Sequence, residues 1–297
     1  MSSFDRERYF RERKKWIDCA LERYLDEKRR LPRRLLEAMR YGVLPAGKRL
    51  RPILTLAAGE IFDGPRRLLL PFACAIEMIH AYSLIHDDLP ALDDDEFRRG
   101  ELANHKVYGE GTALLAGDAL LTEAFHLLSG PEVTRMMEPS LVAQLVHEIA
   151  QAASMRGLVG GQALDLESEG RRIDVAGVEA IHSLKTGALI LAAVRVGARI
   201  GGASANELRR LSRYGQALGL AFQITDDVLD AQGQDTPRHK NGDCERQKAT
   251  YPSVAGRGAA KNRARDLVRQ CLRQVEPFGP AAEPLRGIAC YVVERKM

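Results

Sequence analysis

Two runs of aspartate lie within otherwise apolar stretches. Asp87-Asp88-Leu-Pro-Ala-Leu-Asp93-Asp94-Asp95 is entered from Ser83-Leu84-Ile85, and Asp226-Asp227-Val-Leu-Asp230 from Phe222-Gln223-Ile224. Carboxylates placed this way repel one another and lose hydration, so they are tolerated only where cations sit among them. A fold that accepts both runs is expected to face them across one polar chamber. The donors are hard oxygens, which points to Mg²⁺, an ion that binds through few carboxylates and completes its shell with water and substrate phosphate oxygens.

Apolar residues recur at helical spacing almost everywhere, as in Leu114, Leu115, Leu120, Leu121, Phe125 and Leu128, and again in Leu211, Tyr214, Leu218 and Phe222. Alternating strand patterns are scarce. Breaks fall at Leu44-Pro45-Ala46-Gly47, Asp63-Gly64-Pro65, Gly130-Pro131, Gly201-Gly202 and Phe278-Gly279-Pro280, leaving segments of helical length between them. The expected fold class is all-α, an array of roughly ten helices. No composition shift or linker divides the 297 residues, so residues 1–297 read as a single domain. The polar stretch 231–250, with Gly233, Pro237 and Gly242, is the expected mobile loop.

Composition narrows the function classes. An apolar fraction of 45% permits a deep core, and a net charge of +4 is too small and too dispersed to suggest a nucleic-acid partner. Five scattered cysteines, odd in number and without C-x-x-C spacing, predict reduced thiols and a cytoplasmic protein. The N-terminus has no apolar signal core, and the window 189–203 carries Arg195 and Arg199, so no membrane span is expected.

Helical geometry separates the two clusters. Asp226 and Asp230, four apart, project from one face with Asp227 rotated by ~100°. Asp87 and Asp93, six apart, would lie ~240° around a regular helix. Pro90 disfavours helix at Leu89, so the helix should end there and let Asp93 swing back beside Asp87. One D-D-x-x-D alone reads equally well as a solvated helix end; two, each entered from an apolar run, do not. The pair His86-Asp87 also suggests a metal-dependent phosphohydrolase, but seven histidines without a second matching His/Asp set argue against it.

A phosphate-bearing substrate needs further cations. Lys48 and Arg51 emerge three apart after a Pro/Gly break at a helix start, where the dipole favours an anion. Arg98 and Arg99 follow the first cluster and can fork onto phosphate oxygens. Lys185 interrupts an apolar run and so requires a partner or a role, while Lys240 and Lys248 flank the polar loop. His80 lies two turns before Asp87 on nearly the same face.

Six co-linear motifs carry a resemblance. Gly47-Lys-Arg-Leu-Arg-Pro52, Glu77 to Pro90, Asp93-Asp-Asp-Glu-Phe-Arg-Arg-Gly100, Lys185-Thr-Gly187, Phe222-Gln-Ile-Thr-Asp-Asp-Val-Leu-Asp230 and Lys248-Ala-Thr-Tyr-Pro252 resemble the trans-isoprenyl diphosphate synthases (polyprenyl synthetases), the bacterial farnesyl diphosphate synthases most closely. The resemblance implies an antiparallel helical bundle around a deep central cavity, paired as a homodimer, which condenses allylic diphosphates with isopentenyl diphosphate in isoprenoid biosynthesis. It implies Asp87, Asp88, Asp93, Asp226, Asp227 and Asp230 as ligands to three Mg²⁺ ions, or Mn²⁺. Arg98, Lys185 and Lys240 would face the allylic diphosphate, with Thr186 and Gln223 at the ionisation site. Gly47, Lys48, Arg51, His80 and Arg99 would form the isopentenyl diphosphate site, and Lys248 would add to substrate binding. Tyr82, five residues before Asp87, would act as a floor limiting the product to C15, beside the small Ser83.

Two departures from the family pattern stand out. The loop reads His239-Lys240-Asn241-Gly242-Asp243, one residue shorter than is common, and Glu96 stands where many relatives have Asp. The basic end Glu294-Arg295-Lys296-Met297 is a candidate cover for the isopentenyl site. The alternatives are a geranylgeranyl or longer-chain synthase, a terpene cyclase, which needs no second diphosphate site, and a non-catalytic subunit of a heteromeric synthase, which would lose the motifs.

Overall fold

A computed structural model describes residues 4–26, 32–45, 47–231 and 249–295. Lys240, Lys248 and nearly all of the expected mobile loop lie outside the described residues. The helical periodicity is realised along the rest of the chain, as α1 (Arg6–Tyr24), α2 (Arg33–Val43), α3 (Leu50–Glu60), α4 (Arg66–Asp87), α5 (Asn104–Tyr108), α6 (Glu110–Ser129), α7 (Pro131–Thr134), α8 (Pro139–Ala153), α9 (Leu158–Ser168), α10 (Val175–His182), α11 (Ala188–Ile200), α12 (Ala205–Asp230), α13 (Tyr251–Ala255), α14 (Arg257–Val275) and α15 (Glu283–Glu294). These exceed the expected ten because breaks such as Gly109 and Gly256, both at positive φ, divide runs whose apolar spacing is continuous.

Local chemistry starts the long helices where they begin. The Asp5 side chain accepts from the Arg8 N–H at the head of α1, and Ser204 with Glu207 forms a reciprocal capping box at the head of α12. Among the described residues the only strands are a hairpin, β1 (Phe97–Arg98) and β2 (Glu101–Leu102), paired Phe97 to Leu102 and Arg98 to Glu101. Its two central residues, Arg99 and Gly100, both have positive φ (55° and 84°), as a tight primed turn requires.

Helix α4 forms the centre: fourteen of its 22 residues are buried. It packs against α3 and α6; α11 lies on α3 and α12, and α12 on α14. Each large aliphatic side chain buried here contributes about 1.5–3 kcal/mol of hydrophobic stabilisation. Among the described residues, two segments, Arg66–Asp87 and Val175–Ile200, are long and apolar enough by length and composition to cross a membrane. The first is the buried core helix. The second carries Lys185, Arg195 and Arg199, which pair with Asp165 and Glu148 of neighbouring helices. The four cysteines among the described residues are free thiols.

Between α10 and α11 the helix widens into a π turn, Ser183–Gly187, without breaking. One extra residue per turn there thrusts Lys185 and Thr186 out of the regular helical register. The turn is seated directly on α9: a Cβ on Gly161 would stand 2.2 Å from the Lys185 backbone nitrogen, so only glycine permits the approach.

Candidate active site

The first aspartate cluster folds as its proline dictates. Helix α4 ends at Asp87, the chain turns through Asp88 to Leu92, and the Asp93 N–H donates to the Asp87 carbonyl at 2.7 Å. Asp93 is thereby returned to the side of Asp87. The second cluster remains helical, with Asp226 and Asp230 one turn apart near the end of α12.

A cavity of about 380 Å³ joins the two, and Asp87, Asp226 and Asp230 all line it. Burial pushes the Asp87 carboxyl up to about 6, with the like charges of Asp93 and Asp88 adding to the rise and Lys185 and Arg98 opposing it. A carboxylate so destabilised is a site prepared for a cation. Among the described residues no three metal-binding side chains converge into a cage. The donors fit an ion shared between two walls and finished by water and phosphate.

Asp88 and Asp227 have several protein partners of their own. Asp88, 2% exposed, receives Arg98 through Nε at 2.8 Å and through Nη2, and Arg98 also reaches Asp95 at 3.1 Å. Asp227 accepts from the Gln223 amide at 3.1 Å and from the Tyr251 N–H at 2.8 Å, with His182 Nε2 at 3.4 Å. Burial lowers His182 to about 4, so it is neutral there. Gln223 accepts in turn from the Thr186 hydroxyl at 2.7 Å, which makes a continuous chain from the π turn to α12 and on to Tyr251.

The expected basic residues converge on the same cavity. Lys48, Arg51, His80, Arg98, Arg99 and Lys185 line it, as do Gly47, Ser83, Thr186 and Gln223. Arg99 donates to the Pro45 carbonyl at 3.2 Å and crosses so close over Gly47 that a Cβ there would fall 2.9 Å from its Nη1. Desolvation holds His80 far below its ordinary value, and Arg51, Arg99, Arg98 and Arg49 depress it further. The imidazole is neutral in a field of arginines, which is the electrostatics of an anion site.

Two residues beside the cavity, Asp165 and Gln162, escaped the sequence reading. Asp165 of α9 holds Lys185 Nζ at 2.6 Å. Gln162, also on α9, lines the cavity with both amide atoms buried and without a protein partner. Arg295, part of the basic end expected to cover the isopentenyl site, reaches the second aspartate wall, with Nη2 2.9 Å from Asp226 Oδ1. Tyr82 is buried and does not itself line this cavity; its ring stands edge-on to His86, centroids 5.7 Å apart.

Comparison with known proteins agrees with this geometry. Residues 32–278 match the polyprenyl synthetase family. The chain is 43% identical to the farnesyl diphosphate synthase of Geobacillus stearothermophilus over 265 residues, 89% of each chain. It is 42% identical to the geranylgeranyl diphosphate synthase of Cyanophora paradoxa over 290 residues, covering 97% of this chain and 95% of that one. The crystal structure of a geranyltransferase from Legionella pneumophila superposes with a TM-score of 0.88 at 28% identity, covering 98% of both chains. With two acidic walls and a basic rim around one cavity, the chain belongs to the polyprenyl synthetase family and is a trans-prenyl diphosphate synthase.

Proposed function

We propose that the enzyme, a single domain over residues 1–297, condenses dimethylallyl and geranyl diphosphates with isopentenyl diphosphate to give farnesyl diphosphate. The observation that carries the reading is the shared cavity: two carboxylate walls and a separate basic group face one space, as the joining of two diphosphate substrates requires. Asp87, Asp93, Asp226 and Asp230 would hold Mg²⁺, up to three ions with substrate present, and the metal would supply positive charge to the allylic diphosphate as it leaves.

The protein groups divide the remaining work. Lys185 and Arg98, each already oriented by a carboxylate, donate to the allylic diphosphate, where charge grows as the carbon–oxygen bond breaks. Asp88 and Asp227 brace Arg98 and Gln223. The dipoles of Thr186 and Gln223 face the site of ionisation. Lys48, Arg51, Arg99 and neutral His80 hold the isopentenyl diphosphate so that its double bond meets the allylic carbon. The departing diphosphate can accept the proton released from the new bond, so no side-chain base is assigned. Lys240 and Lys248 would add charge to the substrates.

Tyr82 is the proposed limit on chain length, standing about one and a half turns below Asp87 on α4. The relatives divide between farnesyl and geranylgeranyl synthases at similar identity, which keeps a C20 product as the second reading. Chromatography of products from each allylic primer with labelled isopentenyl diphosphate tests both: C15 is expected, dominant C20 would overturn the length assignment, and turnover undiminished by chelator would overturn the metal assignment. Reduced cysteines support a cytoplasmic enzyme. The exposed Leu114 and Leu115 of α6 and Val159 and Leu164 of α9 support a homodimer, checked by light scattering.

A further inference from the structure

Arg49 is the charged residue of Gly47-Lys-Arg-Leu-Arg-Pro52 that no substrate role explains, and three protein groups accept from it. Its backbone is left-handed (φ 50°, ψ 34°), a conformation uncommon for a side-chain-bearing residue. Its side chain is 1% exposed. Nε donates to Asp18 Oδ1 at 2.8 Å, Nη1 to Glu77 Oε1 at 2.8 Å and Nη2 to the Leu44 carbonyl at 3.2 Å. Lys14 closes the network, reaching Asp18 at 3.1 Å and the Gly47 carbonyl at 3.1 Å.

Glu77 ties this cluster to the cavity. It is 2% exposed and lines the same cavity as Arg51 and His80, three residues before His80 on α4 and so on the same face. A carboxylate there is the wrong charge for a diphosphate site. Arg51 is buried with its Nε lacking a partner, ready for an anion, and Glu77 attracts it. Without Arg49, Glu77 would be an uncompensated buried charge, costly in itself, repelling the diphosphate and drawing Arg51 to itself.

We infer that Arg49 is a positioning residue that occupies Glu77 and so keeps Arg51 available to isopentenyl diphosphate. The inference rests on the proposed reading that Lys48, Arg51, His80 and Arg99 hold that substrate. It makes Arg49 and Glu77 a matched pair whose joint removal should harm binding less than loss of the arginine alone.

The test is calorimetric binding of isopentenyl diphosphate to the full chain, with KM for both substrates and the melting temperature. Arg49→Met should weaken isopentenyl diphosphate binding and raise its KM at least tenfold, leaving the allylic KM within about twofold. Arg49→Met with Glu77→Gln should return binding to within about threefold of wild type while the melting temperature stays depressed, an uncoupling that a purely structural role would not show. A double variant as weak as Arg49→Met, or both KM values moving together, overturns the inference. If Arg49→Met does not fold, Glu77→Gln alone decides: binding equal or tighter supports the inference, and weaker binding overturns it. Wild-type protein that does not bind isopentenyl diphosphate removes the site reading and this inference with it; wild-type binding matched by Arg49→Met removes the inference alone.

Discussion

Arg295 places Nη2 2.9 Å from Asp226 Oδ1, with its guanidinium carbon 4.4 Å from the centre of the Phe222 ring. The C-terminal end thus puts a cation on the wall where a metal would be held. The arginine side chain is 9% exposed and the aspartate 29%, so the pair is only partly screened by water. A metal entering at Asp226 competes with it. Arg295→Gln is therefore expected to tighten divalent-cation binding about fivefold, corresponding to about 1 kcal/mol. Titration with Mn²⁺ followed by electron paramagnetic resonance reads this directly, and an unchanged affinity would show that the arginine yields at no cost.

The raised pKa of Asp87 predicts a particular pH dependence for metal-free protein. Its carboxyl titrates near 6 when folded and near 3.8 when unfolded, so between those values the folded state holds the extra proton. Stability then falls as pH rises through that window, and the loss is complete above about 6, at most about 3 kcal/mol. His182, lowered to about 4, acts in the opposite sense: its folded pKa is depressed, so stability is lost as pH falls from 6.5 towards 4. Subtracting the Asp87→Asn curve isolates the aspartate. Urea unfolding in chelator from pH 4 to 7.5 should show the two proteins diverging across the window; parallel curves would refute the assignment.

Gly161 offers a mutation at a distance from the chemistry. Adding a methyl there must push the π turn off α9, since the backbone nitrogen of Lys185 cannot retreat like the tip of a side chain. Gly161→Ala should cost about 1–3 kcal/mol in unfolding free energy. It should also lower kcat more than tenfold, because Lys185 and Thr186 ride on that turn and a misplacement of about 1 Å is enough. Normal activity in the folded variant would mean that the turn does not set their positions.

What could be read before the fold was known followed from local rules. Pro90 alone implied that Asp93 returns to Asp87, because a proline acts on its immediate neighbours, and the 2.7 Å bond between their backbones is that return. The spacing of Asp226 and Asp230 was equally local. Pairings across the chain left no such trace. Lys185 clearly needed a partner, but nothing in sequence singled out Asp165, and the same holds for Arg49 with Glu77 and Arg295 with Asp226. The π turn was hidden for another reason: one extra residue inside a helix leaves the surrounding apolar runs intact, so Lys185-Thr186-Gly187 looked like a polar interruption and not a change of helical pitch.

The proposed role of Tyr82 in product length lets shape be separated from polarity. Its hydroxyl is buried and has no hydrogen-bond partner, and burial pushes its pKa up to about 12, so it stays neutral. An unsatisfied buried hydroxyl is a cost, and Tyr82→Phe should leave stability unchanged or raise it by up to about 1 kcal/mol, with product length unchanged. Tyr82→Ala removes the ring as well, at about 3–5 kcal/mol, and opens space beneath the first aspartate cluster. Longer products are then expected from the same primers. If both variants make products of wild-type length, the limit lies elsewhere around the chamber; if both lengthen, the hydroxyl and not the ring sets it.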